Sequence, residues 1–350
     1  MEEYPSLINQ EIHLHKKQWG ISDVIKIKSI FLGGGTPSFL IISSIRQIID
    51  SIMAEFNIMP DAEITIEANP ESLTLIKTEE IRQIGINRLS LGVQSFDADE
   101  LITLGRIHTL QQIENSLMWI KQVGFSNFNI DLMFGIPGQT LNSLRKNLET
   151  AISYNPPHLS LYNLTIHDKT LFYSRVMSHQ IELPSEEIQS EMFLSSRQLM
   201  KNNNFEHYEI SNYAKRGYRC LHNEVYWKGG SYLGLGPSAH SFITGVRFMN
   251  KANLSIYKEL ISQNILPIDL DDKRDKKSEA NELLLTGIRL SEGIDINDIK
   301  NKTGYNLSGL KENELTVLLK EELIERDLER IKLTERGLLL CDYVIQKLML

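Results

Sequence analysis

Residues 28–165 repeat one pattern, in which a short strand-like segment is followed by an amphipathic stretch of helical length. This alternation predicts βα units, because a crossover between parallel strands needs a connection of a dozen or more residues. The predicted strands are Lys28–Gly33, Glu63–Ala68, Arg88–Val93, Asn127–Met133 and His158–Leu164. The predicted helices are Ser43–Phe56, Leu73–Gly85, Gln111–Val123 and Leu141–Ser153.

Three of these strands alternate polar and apolar residues, whereas parallel strands covered by helices on both faces are usually apolar throughout. In the second strand, Glu63, Thr65 and Glu67 lie on one face. Ile64 and Ile66 lie on the other. If helices cover the apolar face, the polar face lines the inside of a curved parallel sheet and surrounds something polar. The alternative is an antiparallel sheet with a solvated face.

Composition and charge exclude several classes of protein. The chain has 350 residues, of which 41% are hydrophobic, and no apolar run approaches the roughly 18 residues of a membrane span. The amino terminus lacks the basic and apolar regions of a secretory signal, so we expect a cytoplasmic protein. A net charge of −8 and a pI near 5.7 argue against a nucleic-acid partner.

The βα pattern stops near Pro184. A helix is predicted for residues 186–201, and residues 205–250 are rich in aromatic residues, glycine and histidine with few helical signals. After a charged hinge, three short helices and a strand pair predict a winged-helix-like α+β domain. We therefore expect a barrel domain at 1–183, an extension at 184–270 and the winged-helix-like domain at 271–350. That last domain holds 14 Lys and Arg against 17 Asp and Glu, which favours packing or docking over DNA binding.

A glycine-rich segment, FLGGGTPS at residues 31–38, begins within the first predicted strand and continues past its carboxyl end. Ligands of parallel α/β folds bind at the carboxyl ends of strands, and glycines let the backbone approach them closely. The segment is neither a P-loop nor a dinucleotide fingerprint, since the residues that define those motifs are missing. A tight turn without a ligand is the alternative.

Four polar residues strengthen the case for a binding site. Glu67, Gln94 and Asp131 each lie at the carboxyl end of a different strand, and Arg106 lies in the segment LGRIHT. Two carboxylates, an amide and a guanidinium suit a ligand that carries hydroxyls, an ammonium and a carboxylate. Each residue alone fits a satisfied interior group or a surface ion pair. Their convergence favours a ligand.

A series of motifs resembles the oxygen-independent coproporphyrinogen III oxidase-like radical SAM proteins. In order, they are GGGTPS (33–38), EITIEANP (63–70), NRLSLGVQSF (87–96), LGRIHT (104–109), DLMFGIPGQ (131–139) and YEISNYA (208–214). Residues 222–227, HNEVYW, resemble the HNxxYW signature of the heme chaperone branch of that family.

The resemblance implies a partial (β/α)6 radical SAM barrel and two ligands. It implies that S-adenosylmethionine is bound by Gly34, Gly35, Thr36, Glu67, Gln94, Arg106, Asp131 and Thr165. It implies a heme region at His222, Asn223, Tyr226 and Trp227. His222 is a candidate ligand of the heme iron, because it lies among aromatic residues that could cover a porphyrin. A structural role for His222 in hydrogen bonding is the alternative, and Cys220 is a further candidate ligand.

One departure from the family is large. Its members hold a [4Fe-4S] cluster through a CxxxCxxC loop after the first barrel strand, but this chain has only Cys220 and Cys341. Residues 4–19 resemble the helix that follows the loop, so we expect the first strand and the cluster motif to lie upstream of Met1. A start codon placed too late would account for this, and so would a truncated or decayed copy.

The sequence leaves three functional hypotheses. The favoured one is a heme chaperone that delivers heme to a hemoprotein, with peripheral association where that recipient is bound to a membrane. The second is oxygen-independent coproporphyrinogen III oxidase, an enzyme that decarboxylates by radical chemistry. The third is a cluster-less inactive paralogue. The HNxxYW motif favours the chaperone, and whether the chain is an enzyme stays open.

Overall fold

The structure is a computed structural model that describes residues 3–21, 24–168 and 170–350. The chain forms two compact units. The first unit comprises Met1–Gly34, Leu40–Glu63 and Cys220–Leu350. The second unit comprises Gly35–Phe39 and Ile64–Arg219.

The helices and strands are numbered in chain order. The helices are α1 (Tyr4–Trp19), α2 (Ile42–Glu55), α3 (Leu75–Gln83), α4 (Ala98–Thr103), α5 (Leu110–Gln122), α6 (Leu141–Ser153), α7 (Leu171–Met177), α8 (Glu186–Asn202), α9 (Leu221–Trp227), α10 (Leu254–Ser262), α11 (Lys276–Gly287), α12 (Ile296–Thr303), α13 (Leu307–Leu310), α14 (Glu312–Lys320), α15 (Glu335–Leu339) and α16 (Cys341–Leu348). The strands are β1 (Lys26–Leu32), β2 (Asn57–Ala68), β3 (Arg88–Gln94), β4 (Asn127–Phe134), β5 (His158–Asn163), β6 (Glu206–Glu209), β7 (Asn212–Ala214), β8 (His240–Ile243), β9 (Val246–Asn250), β10 (Ile268–Lys273), β11 (Ile294–Asp295), β12 (Ile324–Arg326) and β13 (Arg330–Leu333).

A seven-stranded sheet has the strand order β1-β2-β3-β4-β5-β7-β6. Strands β2 to β5 pair in parallel, with Thr65 opposite Arg88 and Ser90 opposite Asn129. The parallel pairing confirms the predicted α/β class and rules out the antiparallel alternative. The sequence did not predict the short antiparallel strands β6 and β7, which extend the sheet beyond β5.

Both faces of the parallel strands are buried. The apolar face carries Ile66 and Leu89, which are fully buried. On the polar face, the Asn129 side-chain amide donates to Ser90 Oγ at 2.8 Å and to Ser160 Oγ at 2.9 Å. The polar face is thus an interior hydrogen-bonded surface, as the strand alternation predicted, in which Asn129 of β4 joins Ser90 of β3 to Ser160 of β5.

Local capping determines where the helices of the second unit begin. The Thr109 and Thr140 side chains each accept a hydrogen bond in a capping box at the start of α5 and α6. These two helices lie within one residue of their predicted limits. The single-turn helix α4, capped by Asp97, was not predicted, because six residues are too few to produce a helical hydrophobic period.

The carboxyl-terminal part of the first unit combines helices with a small sheet of strand order β11-β13-β12. Helices α11, α12 and α14 precede the β12–β13 hairpin, as the winged-helix-like pattern predicts. Residues 335–348 form two helices, α15 and α16, which are divided at Leu340. A separate sheet has the order β10-β9-β8. Its strands β8 and β9 lie in residues 205–250, the segment that carried few helical signals. The same segment also forms helix α9, which the sequence did not predict.

In the part of the chain that the structure describes, every helix is too short or too polar to cross a membrane.

Candidate functional site

A cavity of about 280 Å³ lies in the second unit, where parallel strands of the sheet end. Its lining combines two carboxylates, a guanidinium, amides and hydroxyls. The lining residues are Gly35, Thr36, Glu67, Ala68, Asn69, Ser90, Gly92, Gln94, Arg106, Asp131 and Tyr162.

The structure brings together most of the residues that the sequence singled out for this pocket. Six of the eight line the cavity, namely Gly35, Thr36, Glu67, Gln94, Arg106 and Asp131. Gly34 and Thr165 are not among its lining residues, and Thr165 is exposed in the segment after β5. Sequence reasoning missed Asn69 and Tyr162 as pocket residues. The signal that could have found Asn69 is its position directly after β2, since the carboxyl ends of parallel strands share one edge.

Gly92 leaves room for the side chains beside it. A Cβ at residue 92 would lie 2.8 Å from Asn69 Oδ1 and 3.2 Å from Gln94 Nε2. The Asn69 amide in turn donates to Thr36 Oγ1 at 3.2 Å, which links the end of β2 to the glycine segment. Gln94 has a φ of 69°, a left-handed backbone that turns the chain at the end of β3. These contacts shape the edge of the pocket.

Burial perturbs the Asp131 carboxyl group, which lines the pocket. Desolvation by burial raises its pKa, and hydrogen bonds from Ser160 and Asn129, together with the charge of Arg88, oppose the increase. The Asn129 amide donates to Asp131 Oδ1 at 2.7 Å. The pocket therefore offers a carboxyl group held in a defined orientation, which suits a ligand that donates hydrogen bonds.

A buried histidine anchors the segment that carries Arg106. His108 Nε2 donates to the Val93 carbonyl oxygen at 3.1 Å, and its Nδ1 lies 3.1 Å from Glu71 Oε2. The first contact ties this segment to the end of β3, one residue before Gln94. Sequence reasoning did not assign a role to His108, and the only signal was its place two residues after Arg106 in LGRIHT.

The residues singled out as the heme region lie in the first unit, on helix α9. His222 is half-buried, and its ring stacks on Phe31 with 4.6 Å between ring centroids. Its Nε2 lies 2.8 Å from the Tyr226 hydroxyl, and its Nδ1 lies 3.5 Å from Ser29 Oγ. His222 and Tyr226 are neighbours because positions i and i+4 lie about one turn apart on the same face of a helix.

Aromatic residues continue from His222 toward the β8 strand. Tyr226 packs edge-on against Tyr232 at 4.6 Å, and Tyr232 lies 6.4 Å from Phe242. Burial, followed by the nearby Tyr232, raises the pKa of Tyr226 to about 12, although 38% of the residue remains exposed. Asn223 and Trp227 are half-buried on the same helix. The structure thus gathers His222 and Tyr226 into one partly exposed aromatic cluster.

The side chains present do not fit an iron–sulfur cluster. Cys220 and Cys341 are both buried, and Cys220 Sγ donates to Glu63 Oε1 at 3.4 Å. Over residues 3–21, 24–168 and 170–350, no group of three or more His, Cys, Asp or Glu is placed to hold a metal ion. A [4Fe-4S] cluster needs three or four thiolates, which these two cysteines do not supply.

Sequence comparison identifies the family. Residues 19–151 match the radical SAM superfamily, and residues 275–340 match the HemN C-terminal domain. The heme chaperone HemW of Bacillus subtilis is 33% identical over 341 residues, which cover 97% of this chain and 89% of that protein. The chain belongs to the HemW family. HemW of Escherichia coli is 41% identical over 219 residues, covering 63% of this chain and 57% of that protein.

One solved structure matches the fold of this HemW-family chain over nearly its whole length. Coproporphyrinogen III oxidase (HemN) from Escherichia coli superposes with a TM-score of 0.83 at 23% identity, covering 99% of this chain and 83% of that one. At this identity the match establishes the fold, which is that of a radical SAM protein. The predicted family and fold class of the HemW-family chain are therefore both confirmed.

Proposed function

We propose that this protein is a heme chaperone that binds heme at helix α9 and passes it to a recipient hemoprotein. The observation that carries the proposal is the cluster of His222, Tyr226 and Phe31, in which a half-buried imidazole lies between a stacked ring and a phenol. The names of the HemW relatives support it. The recipient is a hemoprotein, with peripheral association where that hemoprotein is bound to a membrane.

The chemistry of the cluster suits a porphyrin with a central iron. A neutral imidazole nitrogen is a common axial ligand of heme iron, and aromatic side chains supply apolar area for the porphyrin face. The two ring nitrogens of His222 differ as ligands for the iron. Nε2 would have to separate from the Tyr226 hydroxyl to reach the iron. Nδ1 has only a 3.5 Å contact with Ser29 Oγ, which is long for a hydrogen bond. Asn223 and Trp227 belong to the same proposed region.

We also propose that the pocket of the second unit binds S-adenosylmethionine. Arg106 would hold the carboxylate of the methionine part, because a guanidinium binds carboxylates in a bidentate manner. Glu67 and Asp131 would accept hydrogen bonds from its ammonium and ribose hydroxyls, with Gln94, Thr36 and Gly35 completing the site. Gly34 and Thr165 enter the proposal only through the family resemblance, since neither lines the cavity.

Heme titration of the purified protein tests the proposal. We expect a saturable Soret band in the unmodified chain, and His222→Ala should weaken heme binding at least about tenfold and change the Soret maximum, since it removes an iron ligand. Glu67→Ala is the matched comparison, because it removes a polar side chain from the other pocket. It should leave the heme titration unchanged and weaken S-adenosylmethionine binding by about 1.5–3 kcal/mol.

Two results would argue against the chaperone. A His222→Ala variant that titrates with heme as the unmodified protein does would remove the residue-level support. Equal weakening of heme binding by His222→Ala and Glu67→Ala would indicate a single pocket, and the decarboxylating enzyme would become the better hypothesis.

A further inference from the structure

A buried carboxylate of β2 contacts the first residues of helix α9. Glu63 is 6% exposed. Its Oε2 accepts a hydrogen bond from the Leu221 backbone N–H at 3.3 Å, and its Oε1 accepts one from the His222 backbone N–H, also at 3.3 Å. The Cys220 thiol donates to the same Oε1 at 3.4 Å. Three donors at the start of α9 thus converge on one side chain that lies more than 150 residues earlier in the chain.

Helix α9 has no capping group of its own. The first N–H groups of a helix have no partner within it and are usually satisfied by a Ser, Thr, Asp or Asn at the N-cap. The N-cap of α9 is Cys220, whose side chain makes no capping hydrogen bond. A carboxylate satisfies these N–H groups and its negative charge is favoured at this end of a helix. Glu63 therefore performs the capping function from a different element.

The capped end of α9 is the end that carries His222. The helix has seven residues, so its stability comes from its contacts rather than from its own hydrogen bonds. The His222 backbone N–H is itself one of the groups bound by Glu63, while the imidazole stacks on Phe31 of β1. The orientation of the ring therefore depends on a contact of its backbone as well as on contacts of its side chain.

We infer that Glu63 is a positioning residue for heme binding, which holds the start of α9 so that the His222 imidazole is presented to heme. The inference rests on the proposed function, because it requires heme to bind at α9. Glu63 does not contact heme in this proposal. It acts through the backbone of Leu221 and His222.

The role of Glu63 in the structure differs from the role that the strand pattern indicates. Glu63 and Glu67 alternate on the same face of β2, which suggests that both serve the same polar interior. Glu67 lines the cavity of the second unit, whereas Glu63 caps a helix of the first unit. Two carboxylates four residues apart on one strand therefore have separate tasks.

The test compares Glu63→Ala and Glu63→Gln with Glu11→Gln. Glu11 is also fully buried in the first unit, and it also accepts a backbone hydrogen bond, from Gly236 N–H at 2.8 Å. Glu63→Ala should weaken heme binding about tenfold and shift the Soret maximum of the heme-saturated protein. Glu63→Gln, whose amide oxygen still accepts one N–H, should recover part of both effects. Glu11→Gln should lower the melting temperature without moving the Soret maximum.

Amide hydrogen exchange of Leu221 and His222 supplies a second readout that does not depend on heme. We expect exchange at these two amides to accelerate about tenfold or more in Glu63→Ala and to stay unchanged in Glu11→Gln. If Glu63→Ala does not fold, Glu63→Gln carries the comparison, because it preserves the shape of the side chain.

The results separate the inference from the proposed function. If His222→Ala weakens heme binding and both folded Glu63 variants retain the heme affinity and Soret maximum of the unmodified protein, the positioning role is wrong and the heme site stands. If the unmodified protein does not bind heme, the proposed function fails and the role of Glu63 in heme binding fails with it. In that case hydrogen exchange at Leu221 and His222 still determines whether Glu63 caps α9.

Discussion

Two histidines of the second unit, the buried His158 and the half-buried His207, are held neutral by their surroundings. Burial, aided by the charge of Arg88, lowers the pKa of His158 well below its usual value, and its Nδ1 lies 2.7 Å from Asn129 Oδ1. Burial also lowers the pKa of His207 to about 4, although a hydrogen bond from its Nε2 to the Ile210 carbonyl opposes this decrease. In the unfolded chain both would titrate near 6.5. The unfolded state therefore binds more protons than the folded state below that pH.

The lowered pKa values of His158 and His207 make the folded protein less stable in acid. Since the unfolded state gains protons first, the free energy of unfolding decreases as the pH falls from about 6.5 toward the folded-state pKa. For His207 this window extends from 6.5 to about 4. Asp131 acts in the opposite sense, because its raised pKa makes the folded state the better proton acceptor above pH 3.8.

We predict that His207→Gln reduces the loss of stability in acid. The His207 contribution amounts to about 3 kcal/mol across its window, at about 1.36 kcal/mol per pKa unit. Urea denaturation between pH 7 and pH 4.5 should give a flatter pH profile for His207→Gln than for the unmodified protein. His13→Gln is the control, since the His13 side chain is 54% exposed. Parallel profiles for all three proteins would show that His207 does not take up a proton on unfolding.

At the scale of elements, glycines determine how closely two segments of the carboxyl-terminal region pack. A Cβ on Gly337 of α15 would overlap the Leu323 carbonyl oxygen, just before strand β12. A backbone oxygen cannot move aside as a side chain can, so the helix and the hairpin would have to separate. Gly309 of α13 differs, since its nearest neighbour is the flexible side-chain amide of Asn306 at 3.3 Å.

We predict that Gly337→Ala destabilises the protein by at least about 3 kcal/mol, because the added methyl group overlaps backbone atoms. Gly309→Ala should change stability by less than about 1 kcal/mol, because the helix preference of alanine is offset by a small displacement of the Asn306 side chain that caps α13. Differential scanning calorimetry measures both variants. Indistinguishable melting temperatures would mean that α15 does not pack against Leu323 as closely as described.

At the scale of the whole molecule, the chain has the fold of a radical SAM protein without the thiolates that such proteins use for their cluster. Its two cysteines lie in different elements, Cys220 before α9 and Cys341 at the start of α16. Burial raises the pKa of the Cys341 thiol, which disfavours the thiolate form that binds iron. The pocket for a small polar ligand is nevertheless formed by the side chains that are present.

We predict that the 350-residue chain does not assemble a stoichiometric [4Fe-4S] cluster. Anaerobic incubation with iron and sulfide, followed by quantitation of iron and acid-labile sulfide and by EPR, should give the same low content for the chain and for a Cys220→Ser, Cys341→Ser double variant. Four irons per chain with a cubane signal that the double variant loses would refute this prediction.

Local patterns in the sequence determined the βα series and most of the pocket. Hydrophobic alternation and helix caps act over a few residues, so they located β3, β4, α5 and α6 closely. The rule that ligands bind at strand ends then brought together Glu67, Gln94 and Asp131. Arg106, which follows α4, was included because its guanidinium suits a carboxylate.

Tertiary structure alone decided where helix α9 forms and that Thr165 is exposed. Both depend on how segments far apart in the chain pack together. Helix α9 has a weak sequence signal and is capped by Glu63 from β2, so its existence depends on a contact that no local pattern contains. Thr165 shares the neighbourhood of a strand end in sequence, but the direction of the chain after β5 leaves it exposed. Periodicity specifies the face on which a side chain lies, whereas its partner is determined only when the elements pack together.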